Sequence, residues 1–276
     1  MKLSKKKLLD YDKQGYVIVN NVFSKKDLEE LDRAIKNILL IEKTKLDIKK
    51  KYENKNNSNK NIFLSAPNQI AKLDKYKLTG LTDTISENMQ FKRISSSRKI
   101  QSIVNILLKE KLDNPLYGYI NRCRINLAED SLAELGWHRE IFQTIPRASF
   151  VQIWAPLLQD SNKRNGALQI IPGSHNKTLP KPRWSSNKNL VSKVFYSSKL
   201  LENYEVKHIQ LKLGQAIFFS GRLLHKSGKN TSNAPRYSIV GLYHNINDKK
   251  FIPPKASFSY RGETPKEYFD SFHKIL

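Results

Sequence analysis

Residues 205–245 read EVKHIQLKLGQAIFFSGRLLHKSGKNTSNAPRYSIVGLYHN, and the fold is decided by this stretch. His208 to Leu213 alternates polar and apolar residues, Gly214-Gln215 turns the chain, Ala216 to Phe219 is an apolar run, and Tyr237 to Tyr243 is another. Alternation with period two marks a half-buried strand, and a short apolar run bounded by turn residues marks a fully buried one. The stretch therefore reads strand, turn, strand, loop, strand. Working outward toward the N-terminus, Leu116 to Leu127, Phe150 to Leu158 and Ala167 to Ile171 have the same character. Many strands without intervening helices build an antiparallel barrel or jelly roll, in which closure removes edges and leaves a mouth for a ligand.

The N-terminal part differs. Ser4 is placed to cap a first helix ending near Gly15, and Ser24 with Asp27 three residues on resembles a capping arrangement for a helix from Lys25 to Leu40. Leu28, Leu31, Ile35 and Ile38 give that helix its apolar stripe. Ile100, Ile103, Val104, Ile106 and Leu107 have helical spacing and are expected on the outside of the barrel. Lys43 to Lys60, with Lys49-Lys50-Lys51 and an Asn/Lys/Ser tract, lacks apolar periodicity after Tyr52 and reads as a surface loop. The 276 residues are expected to form one domain: a mainly helical flank over 1–115 containing the basic loop 43–61, a barrel core over 116–250 and a tail over 251–276. Lys181 to Glu205, with Trp184 and Tyr196, interrupts the strands and reads as a loop over the mouth.

The chemistry is carried by few residues. His138 and Glu140 are two apart, so in an extended segment an imidazole and a carboxylate project from one face and can grip one ion. His225 is the best third ligand. Two imidazoles and one carboxylate leave three coordination positions open, which suits a non-haem Fe(II) that must also hold a co-substrate and O2. Arg236, eleven residues after His225, offers a planar pair of N–H donors suited to a carboxylate, and Ser227 offers a hydroxyl to the same group. His175 is a reserve ligand; His208, His244 and His273 read as packing or surface histidines. Trp137 and Arg139 point away from the metal side of a regular strand.

These features resemble the phytanoyl-CoA dioxygenase family of Fe(II)/2-oxoglutarate-dependent oxygenases over most of the chain. The resemblance includes the opening helix and the strand Gly15 to Val19, Trp154-Ala155-Pro156-Leu157, Asn165-Gly166-Ala167-Leu168, Pro172-Gly173-Ser174-His175, and the spacing of His225 and Arg236. It implies a mainly β fold with flanking helices, the double-stranded β-helix (jelly-roll, cupin-like) barrel. It also implies Fe(II) held by His138, Glu140 and His225, with 2-oxoglutarate and O2 as co-substrates. Arg236, Ser227, Arg124, Asn126 and Trp154 are then the co-substrate contacts, with Arg122 on the same strand face as Arg124 and Asn126. Most of the family has Asp where this chain has Glu140. Related halogenases replace that carboxylate with a small residue, so retaining it favours oxygen transfer. The implied reaction hydroxylates an aliphatic C–H, releasing succinate and CO2; the expected substrate is a small anionic or sugar-bearing metabolite, with a fatty acyl-CoA the alternative that the family's name offers.

The net charge of +24 invites a nucleic-acid reading. Lysines outnumber arginines about three to one and are scattered along the chain, which fits compositional bias, so no specific nucleic acid is expected. A non-catalytic protein that kept the fold is the other alternative. The single cysteine, Cys123, excludes an internal disulfide and reads as a small strand residue, with Arg122 and Arg124 beside it placed to lower its pKa without making it a nucleophile. No apolar run reaches the roughly 18–20 residues of a membrane helix, and no secretory signal follows Met1 to Leu9. A cytoplasmic setting fits both.

Overall fold

The computed structural model describes residues 3–49, 62–73, 75–128, 136–142, 148–180, 182–184 and 194–251. Within them the strands are β1 Tyr16–Val19, β2 Leu116–Asn126, β3 Phe150–Leu157, β4 Leu168–Ile170, β5 Arg183–Trp184, β6 Val194–Phe195, β7 Lys207–Ile209, β8 Ala216–Ser220, β9 His225–Lys226 and β10 Arg236–Asn245. The helices are α1 Lys5–Gln14, α2 Lys25–Lys49, α3 Ile62–Leu73, α4 Lys75–Glu87, α5 Met89–Ser95 and α6 Arg98–Leu107. An antiparallel five-stranded sheet in the order β1-β8-β3-β10-β2 faces an antiparallel three-stranded sheet in the order β7-β4-β9. This is the double-stranded β-helix with flanking helices.

The central strands β3, β8 and β10 are buried on both faces, which explains their nearly continuous apolar sequences. Val151, Ile153, Ala155, Phe218 and Ile239 pack outward against a helical layer that includes Leu31, Ile35, Ile85, Phe91, Ile100 and Ile103. Alternate residues Trp154, Ile217 and Phe219 turn inward to Leu168, Ile170 and Ile209 of the small sheet. Each such side chain, fully buried, contributes roughly 1.5–3 kcal/mol.

Local signals act as written. Ser4 caps α1 by accepting from Lys7 N–H, and Gly15 ends it at φ +81. Ser24 and Asp27 exchange side-chain and backbone hydrogen bonds at 3.1 and 3.3 Å, a capping box for α2. Gly214, at φ +86, turns the chain from the small sheet to the large one.

Four expectations change. The second helix continues past Leu40 to Lys49, so residues 43–49 are helix and not loop; the Glu42–Lys45 pair and a Thr44 hydroxyl bond to the Leu40 carbonyl lie along this extension. Residues 50–61 lie outside the described residues, as do 252–276 with His273. The strand expected over His208–Leu213 stops at Ile209, after which Leu211 exchanges backbone bonds with Ser161. Of the segment read as a loop over the mouth, Lys181 and residues 185–193 lie outside the described residues; the described part is not all loop but forms the β5–β6 ribbon, and Tyr196 packs with Trp137, Ile171 and Leu224. Burial pushes the Cys123 thiol up to about 12, the reverse of the expected lowering, because Arg122 and Arg124 project from the other face of β2.

His244 tests the fold's acid response. It is fully buried in β10, stacked on Phe150 at 4.6 Å, and burial holds its pKa down at about 4 against the usual 6.5. The unfolded chain therefore takes up a proton between these values that the folded chain refuses. Stability is present above pH 6.5 and falls as pH drops toward 4, by about 3 kcal/mol for this group. Urea unfolding at pH 7 and pH 4 should show that His244→Phe loses less stability on acidification than wild type by about this amount.

Candidate active site

His225 in β9 pairs on one side with Ile170 of β4 and on the other with His138, in an antiparallel bridge. The two histidines exchange backbone hydrogen bonds of 3.0 and 3.1 Å, which brings their rings to 4.2 Å between centroids. The Nδ1 of His138 lies 2.7 Å from the Gly136 carbonyl, and that of His225 lies 2.9 Å from the Leu223 carbonyl. Carbonyl oxygens only accept, so each Nδ1 carries the proton and each Nε2 presents a lone pair. These Nε2 atoms lie 3.5 and 3.7 Å from Glu140 Oε2. The donor atoms of the three residues all fall within 4.8 Å of one another, and the imidazoles are buried.

Glu140 arrives differently from the way its spacing suggested. The extended segment ends at the His138 bridge, and Glu140 opens a 3-10 turn, Glu140–Phe142, anchored by the Ile141 N–H to the Gly221 carbonyl. Burial opposes ionisation of Glu140, but hydrogen bonding and charge from the His138 and His225 side chains outweigh it and hold the carboxyl well below the usual carboxylate range; that attraction requires a cation between the Nε2 lone pairs and the carboxylate, a proton or a metal ion in its place. Burial, and then the neighbouring His138, lower the pKa of His225, which keeps its imidazole neutral. The Gln152 amide donates to the same Glu140 oxygen at 3.4 Å.

These residues line a cavity of about 180 Å3. Arg236, 2% exposed, lines the same cavity and opens β10. Its guanidinium donates to Asn126 Oδ1 at 2.8 Å and to the Asn165 carbonyl at 3.4 Å, and lies 5.6 Å from the centre of the Trp154 ring. Its Nε–H has no partner among the described residues. Burial, and then nearby Arg124, lower its pKa to about 9, so it stays charged at neutral pH.

The cavity brings together His138, Glu140, His225, Arg236, Ser227, Arg124, Arg122 and Trp154. Asn126 does not line it; its side chain holds Arg236 from behind. His175 is also elsewhere, within 3.2 Å of the Asp12 carbonyl at the end of α1, and is no reserve ligand. Arg139 points away as expected, donating to the Ser174 and Lys177 carbonyls. Two contributors were missed. Gln152 was legible, since it stands two residues before Trp154 on the inward face of β3. Gly166 was visible only as part of a motif: it sits at φ +82, and a Cβ there would lie 2.5 Å from the Gly228 carbonyl oxygen and 2.8 Å from Arg236 Nη1.

Comparison with known proteins now decides the family. The phytanoyl-CoA dioxygenase (PhyH) family model matches residues 11–238. The chain belongs to this family. Among PhyH relatives it is 30% identical over 156 residues to phytanoyl-CoA dioxygenase domain-containing protein 1 of Danio rerio, covering 53% of this chain and 50% of that one. It is 22% identical to the ectoine dioxygenase of Sphingopyxis alaskensis, covering 97% and 82%. The chain spans half or less of the length of most of the curated relatives it matches. The crystal structure of EvdO2 from Micromonospora carbonacea var. aurantiaca, complexed with 2-oxoglutarate, shares the fold at a TM-score of 0.59 and 16% identity, covering 89% of this chain and 92% of that one.

Gly166 and Gly80 make a paired test of this PhyH site. Gly166→Ala should destabilise by about 1–3 kcal/mol, from the left-handed backbone and the clash with the Arg236 clamp. Gly80 lies in α4 with open space around it, so Gly80→Ala should stabilise by about 0.5–1 kcal/mol. Thermal unfolding of both variants reads the contrast.

Proposed function

We propose that this protein is an Fe(II)/2-oxoglutarate-dependent dioxygenase that hydroxylates an aliphatic C–H of a small anionic or sugar-bearing metabolite. One observation carries the reading: two Nε2 atoms and a carboxylate converge in a cavity that a buried, charged guanidinium also lines. The donor set fits Fe(II). His138 Nε2 is buried without a hydrogen-bond partner among the described residues, and both Nε2-to-Oε2 separations exceed hydrogen-bond length, leaving room for an ion. The chemistry such a centre supplies when bound is oxidation of 2-oxoglutarate by O2 to succinate and CO2, coupled to hydroxylation of the substrate.

His138, Glu140 and His225 are the ligands. The carbonyls of Gly136 and Leu223 fix both imidazole tautomers, and Gln152 orients the carboxylate, the outer-shell support that metal ligands require. Arg236 holds the distal carboxylate of 2-oxoglutarate through its fork, joined by the Ser227 hydroxyl. Asn126 positions that fork and Trp154 flanks it. Arg124, nearer Glu140, receives the co-substrate's other charged end. Leu168 and Phe219 supply apolar wall, so that the reacting carbon is held close to the metal with little water. Among the described residues no helix is long and apolar enough to cross a membrane.

Two experiments test this. Under anaerobic conditions Fe(II) plus 2-oxoglutarate should give the weak visible charge-transfer band of the chelated co-substrate, and His138→Ala or His225→Ala should abolish it; an unchanged band in both removes them as ligands. Arg236→Lys should weaken 2-oxoglutarate binding by about 10–100-fold, the worth of one charge-assisted hydrogen bond. Fe(II) binding should survive. Equal 2-oxoglutarate affinity in Arg236→Lys and Arg236→Ala proteins, both matching wild type, would place the clamp elsewhere.

A further inference from the structure

The catalytic cavity is small for its task. Sites for small ligands usually enclose roughly 300–1,000 Å3, whereas this one offers about 180 Å3 for a co-substrate and a substrate together. A second hollow of about 350 Å3 lies alongside, between α4, α5 and β2, and the two share Ile120 and Arg122. The junction is built with some strain. Ile120 is β-branched yet sits at φ +52, a conformation that costs on the order of 1–3 kcal/mol. Here the β2–β10 register shifts between Val240 and Leu242, and the Asn121 side chain accepts the Leu242 N–H at 3.2 Å. A bulge of this kind re-aims side chains beside a site.

Charge points the same way. Among the described lining residues Glu140 is the one carboxylate of the catalytic cavity, against Arg122, Arg124 and Arg236. No carboxylate pairs with Arg122 or Arg124 among the described residues. A divalent cation, three guanidiniums, one carboxylate and a doubly charged co-substrate leave net positive charge. With Arg236 and Arg124 engaged by 2-oxoglutarate, Arg122 is the guanidinium left over. The adjoining groove is polar and of mixed sign, with the Glu87–Lys92 ion pair and the Ser95 and Ser96 residues on its wall.

We propose that the substrate is an anion larger than the catalytic cavity, that Arg122 at the junction binds its carboxylate or phosphate group, and that its polar remainder lies in the groove between α4, α5 and β2. This rests on the co-substrate assignment above. Arg122 is exposed, so its replacement should leave the fold intact.

The test uses protein held anaerobically with Fe(II) and saturating 2-oxoglutarate, titrated calorimetrically with inorganic phosphate, acetate or glucose 6-phosphate. Arg122→Gln should weaken whichever anion binds by about tenfold or more, with Arg122→Lys in between, as loss of a charge-assisted contact requires. The surface control Lys199→Gln should match wild type. Phosphate binding ahead of acetate assigns a phosphate substrate, and the reverse a carboxylate. Glucose 6-phosphate should bind more tightly than phosphate, and Ser96→Trp should erase that gain while sparing phosphate. Two results overturn the inference while leaving the co-substrate assignment standing, provided 2-oxoglutarate still binds normally. One is anion affinity indifferent to Arg122→Gln; the other is no anion binding up to the millimolar range. Failure of wild type to bind 2-oxoglutarate would instead overturn the co-substrate assignment.

Discussion

Two backbone hydrogen bonds between His138 and His225 organise the rest of the site. An antiparallel pair of this kind fixes the two Cα atoms about 5.5 Å apart with side chains on one side of the ladder. Both imidazoles are then anchored by the same local device, a bond from Nδ1 to the carbonyl two residues earlier in the chain. Neither ring can rotate without giving up a buried hydrogen bond, so the orientation of both lone pairs is settled by the backbone. Support comes from behind as well. The Ser174 hydroxyl accepts the Leu224 N–H at 2.9 Å, and the Ile171 N–H donates to the Leu224 carbonyl at 3.0 Å. The Pro172–His175 turn thus braces β9, and through Gly173 N–H to the Gln14 carbonyl it also pins the end of α1.

The second constraint is the burial of Arg236. Taking a guanidinium out of water costs several kcal/mol unless its donors are met. Asn126 and the Asn165 carbonyl meet part of the requirement from the wall side, which leaves the remaining donor capacity directed at whatever enters the cavity. Room for this exists because Gly166 has no Cβ. The Asn165-Gly166-Ala167 segment is therefore part of the clamp, although its residues carry no ionisable group.

Much of this was legible in the sequence because it depends on periodicity and on residue type. Strand alternation placed Arg122, Arg124 and Asn126 on one face, and Arg122 and Arg124 do line the cavity together from β2. The proximity of His138, Glu140 and His225 was readable because few side chains can serve as metal ligands. The approach of Glu140 was not, since a 3-10 turn and an extended strand are both compatible with a two-residue spacing. The length of α2 escaped for a different reason: Glu42-Lys43-Thr44-Lys45 breaks the apolar stripe after Leu40, so periodicity gave no reason to continue the helix. Asn126 illustrates a general limit, because alternation gives the face of a residue but not whether it meets the ligand or the residue that holds the ligand.

The positive charge of the chain separates into two populations once the cavity is known. Lysines outnumber arginines about three to one overall, yet all three cations lining the cavity are arginines and no described lysine joins them. Compositional bias would have favoured lysine at each of these positions. A lysine is a strongly hydrated point charge on a flexible stem, and burial readily strips its proton. An arginine keeps its charge when dehydrated and presents paired donors in one plane. The exchange of residue type at the cavity is therefore what recognition of planar or branched anions demands, most of all at the buried Arg236, and the scattered lysines need no part in it.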